Sequence, residues 1–445
     1  MRPPILLCLR GIMSTPLYDG IRKYAKGTKT RCHTPGHAGK ARVLGMKRLE
    51  KLDVTEFQGL ESLYADQGAI ARAEELAACY FGAVKTCFSA GGNTLCIQTM
   101  LALVRERGAQ IICSRNLHRS AVNAFALLDF SPVWLFEATP AQLKEQLAVE
   151  SKAAAVLVTS PDYYGRMLDI PGLAAVCRHF DIPLLVDNAH GSHLRALDLH
   201  PLSGGACMVA DSAHKTLPVL TGGAWLQFND EHYAKKAKEA MSWFGSTSPS
   251  YPVMASLDLA REMLAQQGAR DFVRLARRVD AIKAFAAACG IPALTGRVDP
   301  VRLTLNAAAA GLTGQEVAAH FRAKGIAIEH VDTDFAVLIL TPFHTKRDFS
   351  RLKSAIKTLP KRPRGAREPE PVFAITPPEQ MMSIRRALFG NREQISLPES
   401  VGRIAAQEVS LCPPGIPLVV PGEKLDEKMV SKGIKAGISE IFVVK

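Results

Sequence analysis

The pattern of apolar positions changes along the chain, and between about residues 66 and 245 amphipathic, helix-like stretches alternate with short apolar runs. Short apolar runs bounded by polar residues are typical of buried strands, and their alternation with helices predicts a mainly parallel sheet covered by helices. We predict strands in this region at residues 109–114, 154–160, 183–189 and 206–213.

Each of these four predicted strands ends in polar or titratable side chains. Ligands of open α/β sheets bind beyond the carboxyl ends of the strands, where neighbouring strand ends lie together. We therefore expect one crevice lined by Ser114, His118, Ser160, Asp162, Asp187, His190, Ser212, His214 and Lys215.

A smaller α/β region follows the first. A helix begins near residue 251, and apolar runs at 301–307 and 335–341 predict two further strands. A stretch rich in Pro and charged residues then marks a linker. The predicted organisation is an N-terminal arm at 1–65, a major domain at 66–250, a small α/β domain at 251–360, a linker at 361–371 and a C-terminal domain at 372–445.

Composition narrows the class of protein. The 445 residues are 47% hydrophobic, enough for a large core, and 55 Lys and Arg against 42 Asp and Glu leave a formal net charge of +13. The basic residues are spread along the chain, so we expect a solvated basic surface around an anionic cofactor and no nucleic-acid partner.

Cysteine spacing and hydropathy point to a cytoplasmic protein. The ten cysteines include no C-x-x-C pair and no Cys/His spacing suited to zinc, so we expect reduced, mostly buried thiols and no metal site. Arg10 interrupts the N-terminal apolar run, so we expect no signal peptide, and Met13 is an alternative start. No later segment reaches the roughly 18 continuous apolar residues of a membrane span.

A lysine follows the last predicted strand of the major domain. Lys215 lies in DSAHKTLPVLTGGA, at residues 211–224, beside a histidine and a glycine-containing turn. Its amine can form an imine with an aldehyde cofactor if it is partly neutral. A lysine after a strand is otherwise a surface residue, and only the segments that precede it favour the chemical role.

Three of those earlier segments carry groups that suit such a cofactor. Asp187 ends an apolar strand and can either pair with a protonated pyridine nitrogen or cap a following helix. Asn93 and Thr94 open a helix whose backbone N–H groups suit a phosphate, although an ordinary tight turn explains the preceding glycines equally well. His118, at a helix entrance, can stack on a flat ring and move protons, or serve as a structural cap.

In their order along the chain, the motifs GGNT, RNLHRS, VDNAHGSH, DSAHKT and STSPSY resemble the fold-type I pyridoxal-phosphate enzymes, and specifically the Orn/Lys/Arg decarboxylase family in its short form. RCHTPGHAGK and DVTEFQGLESLYADQGAI near the start, and SVGRI and CPPGIPLVVPGE near the end, extend the resemblance from about Thr15 to Glu423. It implies an α/β fold with a fold-type I, transferase-like major domain that has a mainly parallel sheet, a small α/β domain and a C-terminal decarboxylase-type domain.

The resemblance also implies residue roles. Lys215 holds pyridoxal 5'-phosphate as a Schiff base, Asp187 pairs with the pyridine nitrogen, and His118 stacks over the ring. The implied cofactor-binding set is Gly92, Asn93, Thr94, His118, Asp187, His190, Ser212, His214, Lys215 and Thr247. Within it His190 lies near the phenolic oxygen, and Thr247 approaches the phosphate from a neighbouring subunit, which predicts a homodimer or higher homo-oligomer with shared active sites.

Three positions depart from the family pattern. Asn188 stands where the family usually has Glu, GGNT replaces the commoner G-S/T-T arrangement, and Cys412 stands where an aromatic residue is usual. The first two leave cofactor binding intact, because Asp187 and the backbone amides remain. The third lies in a region expected to border the substrate, and it leaves the identity of the substrate open.

The predicted reaction is decarboxylation of a basic amino acid to its amine and CO2, in polyamine-related metabolism, with arginine favoured over lysine and ornithine. Lys215 or His118 is the expected proton donor to Cα. Candidate acceptors for the cationic side chain of the substrate are Glu56, Asp66, Asp332, Glu399 and Glu423. The alternatives are a catalytically silent relative and an aminotransferase or other lyase, for which Arg166 or Arg195 could clamp a carboxylate.

Overall fold

The computed structural model describes residues 14–28, 30–35, 37–40, 46–56, 60–150, 152–360, 362, 367–368, 378–411 and 416–445. Its helices, α1 to α14 in chain order, are Pro16–Gly27, Lys47–Leu52, Gly68–Phe81, Gly92–Val104, Arg119–Leu128, Pro140–Val149, Ile170–His179, Glu231–Ser242, Tyr251–Met263, Ala269–Ala288, Gly314–Ala323, Lys346–Lys357, Ile384–Phe389 and Glu427–Lys435. Its strands, β1 to β14, are Lys85–Ser89, Gln110–Ser114, Ser131–Leu135, Ala155–Thr159, Leu184–Asp187, Met208–Asp211, Ala224–Phe228, Arg302–Asn306, His330–Val331, Phe335–Ile339, Arg392–Ser396, Val409–Leu411, Ile416–Val419 and Glu440–Val444.

The chain divides into two compact units. The first comprises the described parts of Met1–Glu106 and Ile170–Asp271, and the second those of Arg107–Asp169 and Phe272–Lys445. The domain boundaries predicted from the sequence stay a prediction.

Four strands of the first unit lie in the order β1–β7–β6–β5. The pair β5–β6 is parallel, with Asp187 opposite Ala210, whereas β6–β7 and β7–β1 are antiparallel. Every residue of β5, β6 and β7 is buried. The polar residues that end or follow these strands therefore lie at the edge of the apolar core. The sequence predicts a crevice at this edge.

The second unit contains a parallel group in the order β4–β2–β3 and three smaller antiparallel sheets, β8–β10–β9, β11–β14 and β12–β13. The predicted α/β fold with mainly parallel strands is confirmed. All six strands predicted from the sequence are present, each one to four residues shorter than predicted. The other eight strands, β1, β3, β7, β9 and β11 to β14, were not predicted.

Local signals explain where several helices begin and end. Thr313 and Glu316 form a reciprocal capping box at the start of α11, and Thr345 and Asp348 form another at the start of α12. At the end of α3, Gly82 adopts a left-handed conformation with φ of +72°, which costs glycine little because it has no Cβ.

Seven described cysteines are free thiols, and burial raises the pKa of two of them, Cys87 and Cys177, to about 12. Cys79 is disulfide-bonded, so the expectation of reduced thiols is wrong at that position.

Among the described residues, no group of three or more His, Cys, Asp or Glu side chains is arranged to hold a metal ion. None of the helices in the described part of the chain is long and apolar enough to span a membrane.

A buried ion pair joins three elements of the first unit. Glu74, on α3, accepts a hydrogen bond from Lys238 Nζ on α8 at 2.5 Å and one from the backbone N–H of Phe88 on β1 at 2.8 Å. Lys238 Nζ also donates to the carbonyl oxygen of Leu63 at 2.5 Å. Both side chains are only 5% exposed, so water cannot solvate either charge if its partner is removed.

We expect Lys238→Met to lower the free energy of unfolding by about 3–5 kcal/mol, because it leaves the Glu74 carboxylate buried and unpaired. Lys236→Met is the matched control. Lys236 lies on the same helix and pairs with Glu106, but both side chains are 47% exposed, so the control should cost at most about 1 kcal/mol. Chemical unfolding of the two variants measures this difference, and equal losses would contradict the prediction.

Candidate active site

Helix α4 opens at the segment that the sequence predicts as a phosphate site. Gly91 is the N-cap residue, no side chain caps the helix, and Gly92, Asn93 and Thr94 form its first turn. Backbone N–H groups and the helix dipole make such an uncapped start favourable for an anion.

A pair of glycines ties this helix start to the lysine segment. The carbonyl oxygen of Gly222 accepts the backbone N–H of Gly92 at 2.8 Å. The carbonyl oxygen of Gly223 accepts the backbone N–H of His214 at 3.3 Å and lies 3.2 Å from its Nδ1. A Cβ atom at Gly223 would lie 2.3 Å from Val219 Cγ1, so a side chain does not fit there. Sequence reasoning noted a glycine-containing turn, but not that it connects the two segments.

Asp187 ends β5, is 3% exposed and lies beside the start of α4. Its Oδ1 accepts hydrogen bonds from Asn93 Nδ2 at 2.8 Å and from the backbone N–H of Ala189 at 3.1 Å. These donors hold the carboxylate in place where burial otherwise disfavours its charge. The alternative that Asp187 caps a helix does not hold, because the next helical segment, Ser192–Leu197, has Gly191 as its N-cap residue.

Lys215 and His190 are in direct contact. Lys215 Nζ lies 3.0 Å from His190 Nε2, at the end of the 3-10 turn Ala213–Lys215. Lys215 is half-buried and His190 is buried. An imidazole at this distance can take a proton from the amine, and only the neutral amine is a nucleophile.

His214 and Ser212 flank the lysine. Ser212 Oγ lies 3.4 Å from His214 Nδ1. Burial lowers the pKa of His214, the hydrogen bond with the Gly223 carbonyl opposes that effect, and the charge of Lys215 lowers the pKa further. His214 therefore favours the neutral form beside the lysine.

His118 lies in the second unit, as the N-cap residue of α5. Its Nδ1 accepts the backbone N–H of Ser120 at 3.2 Å and lies 2.8 Å from Ser120 Oγ. The ring is exposed. The structural role considered from the sequence is thus present, and the stacking role stays a prediction.

Thr247 is exposed in the connection between α8 and α9. The neighbouring Ser246 is anchored, because its carbonyl oxygen accepts a hydrogen bond from Tyr64 Oη at 2.9 Å. Gly245 lies against the same hydroxyl, which a Cβ atom at that position would approach to 2.0 Å. The contact of Thr247 with a partner's cofactor stays a prediction.

The candidate acceptors for a substrate side chain differ in environment. Glu423 is completely buried, and its two oxygens accept from the guanidinium of Arg115 at 2.5 and 2.9 Å, which makes it a structural anchor. Asp66 accepts from Lys85 Nζ at 2.9 Å, and Asp332 accepts from Tyr164 Oη at 2.6 Å. The remaining two, Glu56 and Glu399, are exposed.

The two arginines considered as carboxylate clamps already have partners. Arg166 lies 3.8 Å from a carboxylate oxygen of Asp162 and over the ring of Tyr164. Arg195 donates through Nε to the carbonyl oxygen of Tyr80 at 3.0 Å. Both guanidinium groups therefore have structural contacts that do not depend on a substrate.

The residues of the first unit fit pyridoxal phosphate. The uncapped start of α4 suits the phosphate, the buried Asp187 suits the pyridine nitrogen, and the amine of Lys215 suits the aldehyde. Asn93 Oδ1 is buried without a hydrogen-bond partner among the described residues, so the site retains an unused acceptor. This match defines the class of protein as a pyridoxal-phosphate-dependent enzyme.

The chain belongs to the Orn/Lys/Arg decarboxylase family. The sequence model of that family's major domain matches residues 15–288, and the model of its C-terminal domain matches residues 366–434. The enzyme is a pyridoxal-phosphate-dependent amino-acid decarboxylase, as the sequence predicted.

Individual relatives agree with this assignment. The chain is 32% identical to the arginine decarboxylase of Bacillus subtilis, over 95% of this chain and 94% of that protein. It is 31% identical to the arginine decarboxylase of Halalkalibacterium halodurans, over 93% and 91%. The crystal structure of the Francisella novicida lysine decarboxylase shares the fold, with a TM-score of 0.80 at 17% identity over 97% of this chain and 81% of that one.

Asp162 follows β4 in the second unit, in the SPDYYG segment at residues 160–165. Its Oδ1 accepts the backbone N–H of Arg166 at 2.8 Å. Burial raises the pKa of the Asp162 carboxyl from 3.8 to about 6, although the charge of Arg166 opposes the shift. The expectation that this side chain shares a crevice with Lys215 stays a prediction.

Asp162 should make stability depend on pH. Because its pKa is higher in the folded protein than in the unfolded chain, its stabilising contribution is complete below about pH 4 and is lost as the pH rises through about 6. We expect the unfolding free energy of the wild type, relative to that of Asp162→Asn, to fall by on the order of 2 kcal/mol across this range. Urea unfolding at several pH values measures the difference, and parallel pH profiles would refute it.

Proposed function

We propose that this decarboxylase acts on arginine and releases CO2 and the corresponding amine, in polyamine-related metabolism. The similarity to the arginine decarboxylases of Bacillus subtilis and Halalkalibacterium halodurans, which align with nearly the whole chain at about 30% identity, supports arginine over lysine and ornithine. We also propose a cytoplasmic location, where the seven free thiols stay reduced.

The contact between Lys215 and His190 is the observation that carries the proposed mechanism. His190 accepts a proton from Lys215 Nζ across 3.0 Å, so the amine is neutral when it attacks a carbonyl carbon. The half-buried position of Lys215 assists, because burial disfavours the ammonium form of an amine.

When bound, pyridoxal phosphate supplies an electron sink for the electrons that remain as CO2 departs. Asp187 supplies a buried negative charge that stabilises a protonated pyridine nitrogen, and Asn93 and Ala189 hold this carboxylate in place. The backbone N–H groups of Gly92, Asn93 and Thr94 would bind the phosphate, together with Ser212 and His214.

Other residues orient the substrate and return the proton. Lys215 or His118 donates the proton to Cα, and Lys215 displaces the product amine. The cationic end of the substrate requires a carboxylate, and Glu423 is unsuited to that role because Arg115 occupies both of its oxygens.

We further propose a homodimer in which Thr247 of one subunit contacts the phosphate in the other. The exposure of Thr247 supports this arrangement, as does the nearby Trp243, whose side chain is 61% exposed. An exposed tryptophan beside a conformationally anchored segment is typical of a surface that a partner covers.

CO2 release from arginine, lysine and ornithine, each offered separately to the pyridoxal-phosphate-loaded protein, tests the proposed substrate. We expect release from arginine, its loss in Lys215→Ala, and its retention in the control Lys236→Ala, which removes an exposed lysine. Release from lysine or ornithine without arginine would overturn the substrate assignment. Activity that survives in Lys215→Ala would overturn the role of Lys215.

Subunit complementation tests the shared site. Lys215→Ala lacks the amine, and Thr247→Glu places a negative charge against the phosphate, so each variant alone should be inactive. After subunit exchange, half of the dimers are mixed and each has one intact site, so we expect about a quarter of the wild-type activity. No recovery, despite mixed dimers seen by native mass spectrometry, would show that Thr247 acts within its own subunit.

A further inference from the structure

A second buried carboxylate lies one strand away from Asp187. Asp211 ends β6 and is completely buried. Its Oδ1 accepts from Asn188 Nδ2 at 2.5 Å, and its Oδ2 accepts from Gln227 Nε2 at 2.8 Å and lies 3.0 Å from His200 Nε2. The carboxylate is thus held by three N–H donors.

The orientation of these donors is determined by their surroundings. His200 Nδ1 accepts the backbone N–H of Leu202 at 3.3 Å, so the ring carries its proton on Nε2 and donates it to Asp211. Asn188 Oδ1 and Gln227 Oε1 are buried and have no hydrogen-bond partner among the described residues. Both amides therefore direct their nitrogens toward Asp211 and leave their oxygens without a hydrogen bond.

Asn188 connects this network to the proposed cofactor site. It directly follows Asp187, and consecutive side chains of an extended chain point to opposite sides. The Asn188 backbone is held on both sides, because its N–H donates to the Ala210 carbonyl at 2.9 Å and its carbonyl accepts from Gly191 at 2.8 Å. A Cβ atom at Gly191 would lie 2.0 Å from Asn188 Oδ1, so only glycine at position 191 leaves space for this amide.

We propose that Asp211 is a positioning residue: by binding the Asn188 amide it fixes the end of β5 and, through it, the carboxylate of Asp187. The inference rests on the role proposed for Asp187 in cofactor binding. It also gives a reason for the amide at position 188, where the family usually has Glu. A carboxylate there would face that of Asp211 inside the core, and the two like charges would repel.

A reciprocal exchange tests the pair. Asn188→Asp brings two carboxylates together, and Asp211→Asn removes the negative charge and sets an NH2 group against that of Asn188. In the double variant, the amide introduced by Asp211→Asn can donate to the new carboxylate while its oxygen accepts from His200 and Gln227. We expect each single variant to weaken pyridoxal-phosphate binding by roughly 10- to 100-fold, and the double variant to lie within about threefold of the wild type.

The readouts are the dissociation constant of pyridoxal phosphate, from titration of the apoprotein, and the pH dependence of the absorbance of the bound cofactor. The melting temperature of each apoprotein is recorded in parallel. Asn229→Asp is the control: Asn229 Nδ2 donates to the carbonyl oxygens of Leu202 and Ala206 and has no contact with Asp211. It should lower the melting temperature and leave the dissociation constant unchanged.

Two results would overturn the inference while leaving the decarboxylase intact. One is additive weakening in the double variant. The other is a loss of melting temperature in the single variants without any change in the dissociation constant or the pH profile, which would make the network purely structural. If Asp187→Asn binds the cofactor as the wild type does, with the same pH profile, the proposed role of Asp187 and the inference that depends on it both fail.

Discussion

The burial of two carboxylates at adjacent strand ends is the constraint on which the rest of the site depends. Asp187 and Asp211 end the parallel strands β5 and β6, whose residues are all buried. Each carboxylate needs N–H donors to remain in the core. Asp187 obtains them from Asn93 and Ala189, and Asp211 obtains them from Asn188, His200 and Gln227.

Backbone geometry does as much as side-chain chemistry to assemble this site. Gly222 and Gly223 bind the start of α4 and the lysine segment through their carbonyl oxygens. Val219 leaves no space for a side chain at position 223. Only glycine there allows the turn to pack this closely against its neighbours. The predicted phosphate site and the segment of the predicted Schiff-base lysine are thereby held by backbone hydrogen bonds.

Sequence patterns predicted the structural features that arise from residues close together in the chain. Apolar runs identified β2, β4, β5 and β6 and placed Asp187 at a strand end, and motif order identified the family. The ion pairs Arg115–Glu423 and Glu74–Lys238 were missed, because they join residues 308 and 164 positions apart and leave no periodic signal. Glu423 was accordingly considered as a substrate ligand, whereas it anchors Arg115.

The sequence by itself determined the α/β fold, the cofactor and the decarboxylase family, because these follow from periodicity and from ordered motifs, and it predicted which groups react. Only the tertiary structure decided the contacts among those groups. Asn93 donates to Asp187, His190 lies against the Lys215 amine, and Asn188 faces Asp211. Each contact joins separate elements, and its geometry depends on how strands and helices pack rather than on any residue's neighbours in the chain.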